Sequence, residues 1–335
     1  MKRLFQGKKR IAALYSAGGA LIFLALLLGF STGSTALSMK VLFSAIFSAD
    51  RTSPEARIFW YVRFPRTLAS LAAGGALALS GAILQKVLAN RLASPSIIGV
   101  NSGAGLFVVI ASAFGIFGGW RLSLFAFLGA GAAVLLVAAM SYRFGASRGS
   151  VILMGVALNA FFGAISDAVI SVSPDAAISN GDFKIGDFSS VSYEKLIPAS
   201  VIILISFAAL LFLSNELDVL SLGDDSAKGL GLNATLMRTV FLLLAALLAG
   251  SAVSVAGLLS FVGLLVPHAV RKLLGSSEHS LPLVFIFGAG FVSLCDTLSR
   301  VIFAPYEIPV GIVMAFIGAP SFIIILVKSK GGHHD

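Results

Sequence analysis

Five groups of polar residues interrupt an otherwise apolar chain, and the spacing in each bears on chemistry. Arg63-Phe-Pro-Arg66 opens a block rich in small residues. Pro65 fits the first turn of a helix, where its missing N–H costs nothing, and both guanidiniums are then expected to project near a membrane surface. Two readings fit them: snorkelling to lipid phosphates, or an acidic partner. Asp296 and Arg300 stand four apart, which puts carboxylate and guanidinium on one helical face as a structural pair. In Phe261-Val-Gly-Leu-Leu-Val-Pro-His-Ala-Val-Arg271, Pro267 kinks or ends a helix and His268 follows at headgroup level. No Cys, Asp or His stands at ligand spacing from His268, so it reads as hydrogen-bonded structure and no metal site is expected. Asp167, inside an apolar block, either lines a substrate or proton path or pairs with a hydroxyl or backbone group.

The fifth group is the polar island Leu220–Asn233, between the apolar blocks Leu196–Leu213 and Ala234–Val255. Gly223, Gly229 and Gly231 punctuate two short helical turns. Asp224 and Asp225 sit where a first turn favours negative charge, and they read as helix-start residues rather than ligands. Leu222, Ala227, Leu230 and Leu232 are expected to pack on something outside the bilayer. No G-x-x-x-x-G-K-[ST] loop, H-E-x-x-H motif or Ser/His/Asp arrangement is present, so no ATP-hydrolysing or other catalytic site is expected in this chain.

The elements that must position these groups follow from composition. The 335 residues are 58% hydrophobic and only 12% charged, with mean hydropathy +0.99. Soluble domains carry about a quarter charged residues, so the composition points to the bilayer. Each helical span takes roughly 20 apolar residues, which gives about ten spans and no room for a soluble domain. The expected spans are 11–31, 64–88, 97–117, 121–142, 151–172, 196–214, 234–255, 256–274, 281–302 and 308–328. Segments of about ten alternating residues, the mark of a membrane β-barrel, are not seen.

Net charge +9 has no soluble basic face to serve, so nucleic acid is not expected as a partner; loop basicity is first a topology signal. With both termini cytoplasmic, the inner segments collect Lys2, Arg3, Lys8, Lys9, Arg10, Lys86, Arg91, Arg143, Arg148, Lys228, Arg238, Arg271, Lys272, Lys328 and Lys330. Outer basic residues are fewer and gather between Lys40 and Arg66. The apolar run Ile11–Phe30 exceeds the 7–15 residues of a signal-peptide core, so an uncleaved first span is expected. Two outer segments, one with Asp50, Arg51, Glu55 and Arg57 and the other spanning Ser173–Lys195, are long enough to hold short interfacial helices. Gly74, Ala78 and Ala82 recur every four residues as a close-packing face. Cys295 is the single cysteine, so no intrachain disulfide is expected.

Several of these stretches together resemble a known family. Arg63-Phe-Pro-Arg66, Gly74-Gly75 to Gln85, Asn90-Arg-Leu-Ala-Ser-Pro95, Leu153–Leu158, Leu222-Gly-Asp-Asp-Ser-Ala227 with Leu230-Gly231, Phe261–His268, Asp296, Arg300, Glu307–Gly311 and Gly318-Ala-Pro320 are similar to the FecCD-like permease subunits of ABC importers for iron–siderophore complexes, haem and cobalamin. The resemblance runs over nearly all the chain from about Arg63 onward. It implies an all-α permease of the type II importer fold, forming a single transmembrane domain.

Further implications are a second permease subunit, identical or related, with the path between the two, and a ferric siderophore as cargo, with haem and corrinoids as alternatives. ATP and Mg would be held by two separate ATPase subunits inside, and a substrate-binding protein would dock outside on Arg63, Arg66 and Arg300. Leu222, Gly223, Asp224, Asp225, Ala227, Leu230 and Gly231 match the coupling helices that sit on the ATPase. Asn90, Leu92, Gly149 and Ser150 match gate regions. Arg91 departs from the family, which commonly has Pro there. A prokaryotic plasma membrane is the expected location. An ion-coupled secondary carrier using Asp167 and Asp296 as relays is the reading from a different class.

Overall fold

The structure, a computed structural model, describes residues 2–33, 53–274 and 280–330, with side chains for 9–33, 53–274 and 280–324. Asp50 and Arg51 of the first outer segment, and His333, His334 and Asp335 of the tail, lie outside the described residues.

A chain this apolar must satisfy its backbone polar groups within each segment, and helices do so. The described residues are helical with no strand: α1 (Lys2–Ser31), α2 (Pro54–Ile58), a π-helical turn (Phe59–Arg63), α3 (Phe64–Val87), α4 (Val100–Ala113), α5 (Gly119–Phe144), α6 (Arg148–Val172), α7 (Pro174–Ile185), α8 (Tyr193–Phe212), α9 (Ser214–Ser221), α10 (Asp224–Gly229), α11 (Ala234–Ala256), α12 (Val262–Leu274), α13 (Ser280–Val301) and α14 (Val310–Lys330). Among the described residues seven helices are long and apolar enough to cross a bilayer, α2 to α3 counting as one continuous helix over Pro54–Val87. The other three expected spans begin later as helix than their sequence ranges. Span 97–117 is helical over Val100–Ala113 and 256–274 over Val262–Leu274, while 308–328 corresponds to the helix Val310–Lys330.

The α2–α3 junction explains itself locally. Pro65 has no N–H for the carbonyl four residues back and its ring crowds that carbonyl. The ladder therefore widens, and Phe64 N–H reaches Phe59 O across the π turn. Pro65 thus lies within a continuing helix rather than at a free start. Aromatic rings collar this end: Phe30 stacks on Phe64 at 5.8 Å, Phe59 meets Phe30 edge-on at 5.4 Å, and Tyr193 Oη donates to Trp60 O at 2.6 Å.

Helix α3 is the axis of the bundle. It is buried along almost its whole length and packs against α13, α11 and α12, with α1 outside α13. The small-residue face makes this closeness feasible. A Cβ on Gly74 would run into Gly288 O and the Val292 side chain, and Ala78 faces Gly288 in turn. A second layer, α4 with α5, α6 and α7, joins the first through the contact of α5 with α11.

Two connections run through the protein as irregular chain. One is Ala93–Gly99, before α4. The other is Gly257–Phe261, where Gly257 (φ 70°) ends α11. The stray backbone groups of the latter find partners: Leu258 N–H donates to Phe183 O at 2.9 Å, and Asp187 N–H donates to Ala256 O at 2.8 Å. Gly311 N–H donates to Gly186 O at 3.1 Å, which ties the start of α14 into the same knot.

Candidate functional site

At the α2–α3 end, one carboxylate organises three helices. Asp296, wholly buried on α13, accepts Arg66 Nε on Oδ1 at 3.0 Å, and its carboxylate is ion-paired to Arg66 Nη2 and Arg300 Nη2, each 3.0 Å from its nearer oxygen. The expected Asp296–Arg300 pair is therefore present, and Arg66 from α3 completes it. Arg66 also reaches Glu307 Oε2 at 2.6 Å and lies 3.8 Å from Asp187 Oδ1. Arg63 and Arg300 have a second task. Arg63 Nη1 donates to Phe30 O and Ser31 O at 2.9 and 2.7 Å, and Arg300 Nη1 donates to Gly29 O and Thr32 O at 3.1 and 3.2 Å. Two guanidiniums thus satisfy the orphan carbonyls at the C-terminus of α1 and complement its negative dipole end.

This corrects the expectation that these arginines project outward. Arg63, Arg66 and Arg300 are 3%, 4% and 2% exposed. The physical reason is supply: buried Asp296, Glu307, Asp187 and the α1 carbonyls offer enough acceptors to hold all three guanidiniums inside the fold. An unpaired charge at this depth would be far costlier.

The opposite end is set by the length of α3. Its 24 residues span about 36 Å, and Lys86 near its end bonds Asp218 of α9 at 2.5 Å. Helices α9 and α10 form a platform that begins at Ser214, upstream of the expected 220–233. Gly223 (φ 121°) turns between them. The platform is bolted to the bundle through Asp224. Arg238 Nη2 donates to its Oδ2 at 2.5 Å, and Arg148 Nη2 lies 3.2 Å from Oδ1 while also donating to Leu220 O at 2.7 Å. Arg238 Nη1 adds a bond to Ala146 O at 2.8 Å. Partial burial works to raise the Asp224 pKa, but the hydrogen bond and charge of Arg238, then Arg148, outweigh it and hold the carboxyl below its usual range.

Asp224 is therefore an ion-pair anchor as well as a helix-start residue, while Asp225 is exposed. Leu222 and Leu230 stand 67% exposed, whereas Ala227 is wholly buried and Leu232 packs on the core. The expectation that all four face outward holds for the two leucines that flank α10. Ala227 and Leu232 turn inward because the amphipathic platform must seat on the bundle. Gly223 and Gly231 are the turn residues at either end of α10, both with positive φ.

The expected gate residues are placed separately. Asn90 Oδ1 accepts Leu92 N–H at 2.9 Å, and Leu92 is exposed. Ser150 N–H donates to Ser147 Oγ at 3.2 Å in the N-cap of α6, and Gly149 is exposed beside it. No hydrogen bond joins the two loops among the described residues. Arg91, the departure from the family pattern, lies near His268 and Arg271. His268 is half-buried, and its ring makes no hydrogen bond among the described residues, against expectation; the charged groups that act on it there are the cations Arg271, Arg91 and Lys272. Asp167 is exposed on α6 and pairs with no described residue.

Sequence reading missed several partners. Asp187 and Glu307 sit in connections, and Lys86, Arg148 and Arg238 counted only toward topology. Gln85 was another. Its Nε2 donates to Gly263 O at 2.8 Å and its Oε1 accepts from Arg271, joining α3 to α12. The one available signal was an amide and several charges inside helices that hydropathy alone would make apolar.

Comparison with known proteins places this architecture. The model of the FecCD transport family matches residues 21–328. The chain is 36% identical over 307 residues to the Fe(3+)-citrate import system permease protein YfmD of Bacillus subtilis, covering 90% of this chain and 91% of that protein. It is also 36% identical over 285 residues to the Fe(3+) dicitrate transport system permease protein FecC of Escherichia coli, covering 84% and 85%. Among solved structures, an inward-facing conformation of a metal-chelate type ABC transporter superposes with TM-score 0.83 at 30% identity, covering 95% of this chain and 99% of that one.

Proposed function

The chain belongs to the FecCD transport family, and from that premise we propose that it is the transmembrane permease subunit of an ABC importer for an iron chelate, a ferric siderophore or ferric citrate. It works in a prokaryotic plasma membrane with its termini inside. The observation that carries this reading is the platform α9–α10. It presents Leu222 and Leu230 to the aqueous side while Asp224 ties it to Arg148 on α6 and Arg238 on α11. A carrier that works alone has no use for such a surface. Two partner ATPases, holding ATP and Mg, supply the energy, and a second permease subunit, identical or related, completes a closed two-fold assembly.

ATP-driven approach of the ATPases displaces the platforms. The Asp224 ion pairs pass that displacement to α6 and α11, and so switch the chain between inward- and outward-facing states. At the other end, an extracytoplasmic binding protein delivers the chelate. Arg63, Arg66 and Arg300 serve that docking surface from beneath, by fixing the ends of α1, α3, α13 and α14, and bind the delivered protein's acids only where the internal pairs open. Asp296 is ion-paired to both Arg66 and Arg300, which suits it poorly to the proton-relay role of an ion-coupled carrier. Co-expression with the partner ATPase and binding protein tests the reading: the proposal expects a stable complex whose chelate uptake stops without ATP. Uptake by this chain alone, driven by an ion gradient, would refute it.

A further inference from the structure

Lys195 stands where a cation is least expected. It is the third residue of α8, so its charge lies at the positive end of that helix dipole. It is also only 9% exposed, although a lysine at a membrane surface ordinarily snorkels its ammonium into water. Its Nζ donates to Ser190 Oγ at 3.3 Å, and among the described residues no carboxylate pairs with it. Glu194, its neighbour in the chain, is exposed. Arg66 and Arg300, also buried, each lie 3.0 Å from the carboxylate of Asp296. An ammonium buried without a counter-charge is costly, and an apolar residue here would serve the fold better. The cation answers to something that the fold itself does not supply.

Lys195 lines a cavity of about 450 Å³ between α4, α5, α7, α8 and α11. The start of α5 lines it too. Gly118 and Gly119, both with positive φ, lead into that 26-residue helix, and no side chain caps it. Its first N–H groups are unspent and carry the positive end of a second dipole. The hydroxyls of Ser123, Ser179 and Ser189 add further donors to the wall. Two carboxylates also reach the cavity, and both are accounted for. Asp187 lies 3.8 Å from Arg66 and accepts Ser189 N–H on Oδ2 at 3.0 Å, while Asp182 is exposed, where salt and water screen it. An ammonium, backbone N–H groups and hydroxyls around one space make the donor set of an oxyanion site.

The level of the cavity narrows the choice of anion. Tyr193, two residues before Lys195, bonds Trp60 O at the α2–α3 end, away from the platform. Phe114, Phe117 and Trp120, around the start of α5, are 83%, 56% and 47% exposed, and Arg121 lies 5.9 Å from the centre of the Trp120 ring. Exposed aromatic rings at a helix end mark the headgroup level of a bilayer, where lipid phosphates lie. We propose that this cavity is a phosphate-binding site at the outer membrane interface, with Lys195 as its charge and the first turn of α5 as its backbone cradle. The phosphate belongs either to a phospholipid headgroup or to a free ion. Bound there, it links the starts of α5 and α8. Only the word outer rests on the importer reading above.

The test uses the full chain, delipidated in a neutral detergent. The probes are short-chain phosphatidylglycerol, diacylglycerol with the same acyl chains, and inorganic phosphate. Binding is read by native mass spectrometry for the lipids, by phosphorus NMR line broadening for phosphate, and by the rise in unfolding temperature for all three. The proposal expects a phosphate-bearing probe to bind and raise the unfolding temperature, and diacylglycerol to do neither. Binding of the lipid alone identifies a headgroup site; inorganic phosphate that displaces the lipid identifies a site open to both sources. Lys195→Met should weaken binding about tenfold or more, as loss of a charge-assisted hydrogen bond does, and Lys195→Arg should keep most of it. Ser123→Glu sets a carboxylate on the same wall, near a helix start that favours it, and should abolish binding with the fold intact. No binding of either phosphate probe, or binding that Lys195→Met and Ser123→Glu leave unchanged, overturns the proposal. None of these readouts involves ATP or uptake, so a failure of the importer reading would show separately.

Discussion

Removing Arg66 would leave Asp296, wholly buried, with one of its two guanidinium partners and Glu307 with none of its described ones. Breaking a buried pair from one side costs on the order of 3–5 kcal/mol, because the remaining charge has lost its compensation. Arg66→Met should therefore lower the unfolding temperature in detergent by several degrees. Asp296→Asn added to it should recover part of the loss; an additive loss would mean the two do not interact. Asp224 makes a different prediction, set by pH. Its folded pKa is depressed, so the stability it contributes is fully present above the unfolded value of about 3.9 and is lost as pH falls through the lower folded value. Hydrogen exchange over 214–231, corrected for intrinsic rates, should quicken only in that acid window, and Asp224→Asn should show quickened exchange already at pH 7.

At the scale of the element, exposed leucines and buried glycines carry separable tasks. Leu222→Asp with Leu230→Asp should leave the unfolding temperature of the isolated chain nearly unchanged, because neither side chain is buried, and should abolish co-purification with the ATPase. Retained ATPase binding would count against the platform. Gly74→Val should do the reverse: its side chain has no space beside Gly288 and Val292, and overpacking of this kind costs about 1–3 kcal/mol.

The same scale shows what the sequence could reveal. The close-packing face Gly74, Ala78 and Ala82 and the Asp296–Arg300 pair were legible because helical periodicity places them without knowledge of a partner. The division of 234–274 into two spans was legible because the apolar run is about twice the length one span takes. The shortness of α4 was not, since hydropathy over 97–117 does not distinguish apolar helix from apolar loop packed in protein. The inward turn of Arg63, Arg66 and Arg300 was hidden too, because the acceptors that complete it lie some 30 to 270 residues away.

For the whole molecule, the two ends pose one linked question. A network of Arg63, Arg66 and Arg300 against Asp296, Glu307 and Asp187 fixes the end where α3 begins, while the Asp224 anchors leave the opposite end hung on a few ion pairs at the surface. Such a chain is stiff where cargo would be received and adjustable where force would be applied. The all-α class and the importer reading were open to the sequence, because apolar composition and a polar island survive in one dimension. The cavity around Lys195 was not, because it exists only where helices distant in sequence meet. The most direct test of the central claim is uptake of radio-iron as ferric citrate or a ferric hydroxamate by proteoliposomes. These would hold this chain with its ATPase and binding protein, with ATP inside. The account predicts uptake that requires ATP and is lost with Leu222→Asp and Leu230→Asp; uptake that persists without ATP, or that survives loss of the platform leucines, would contradict it.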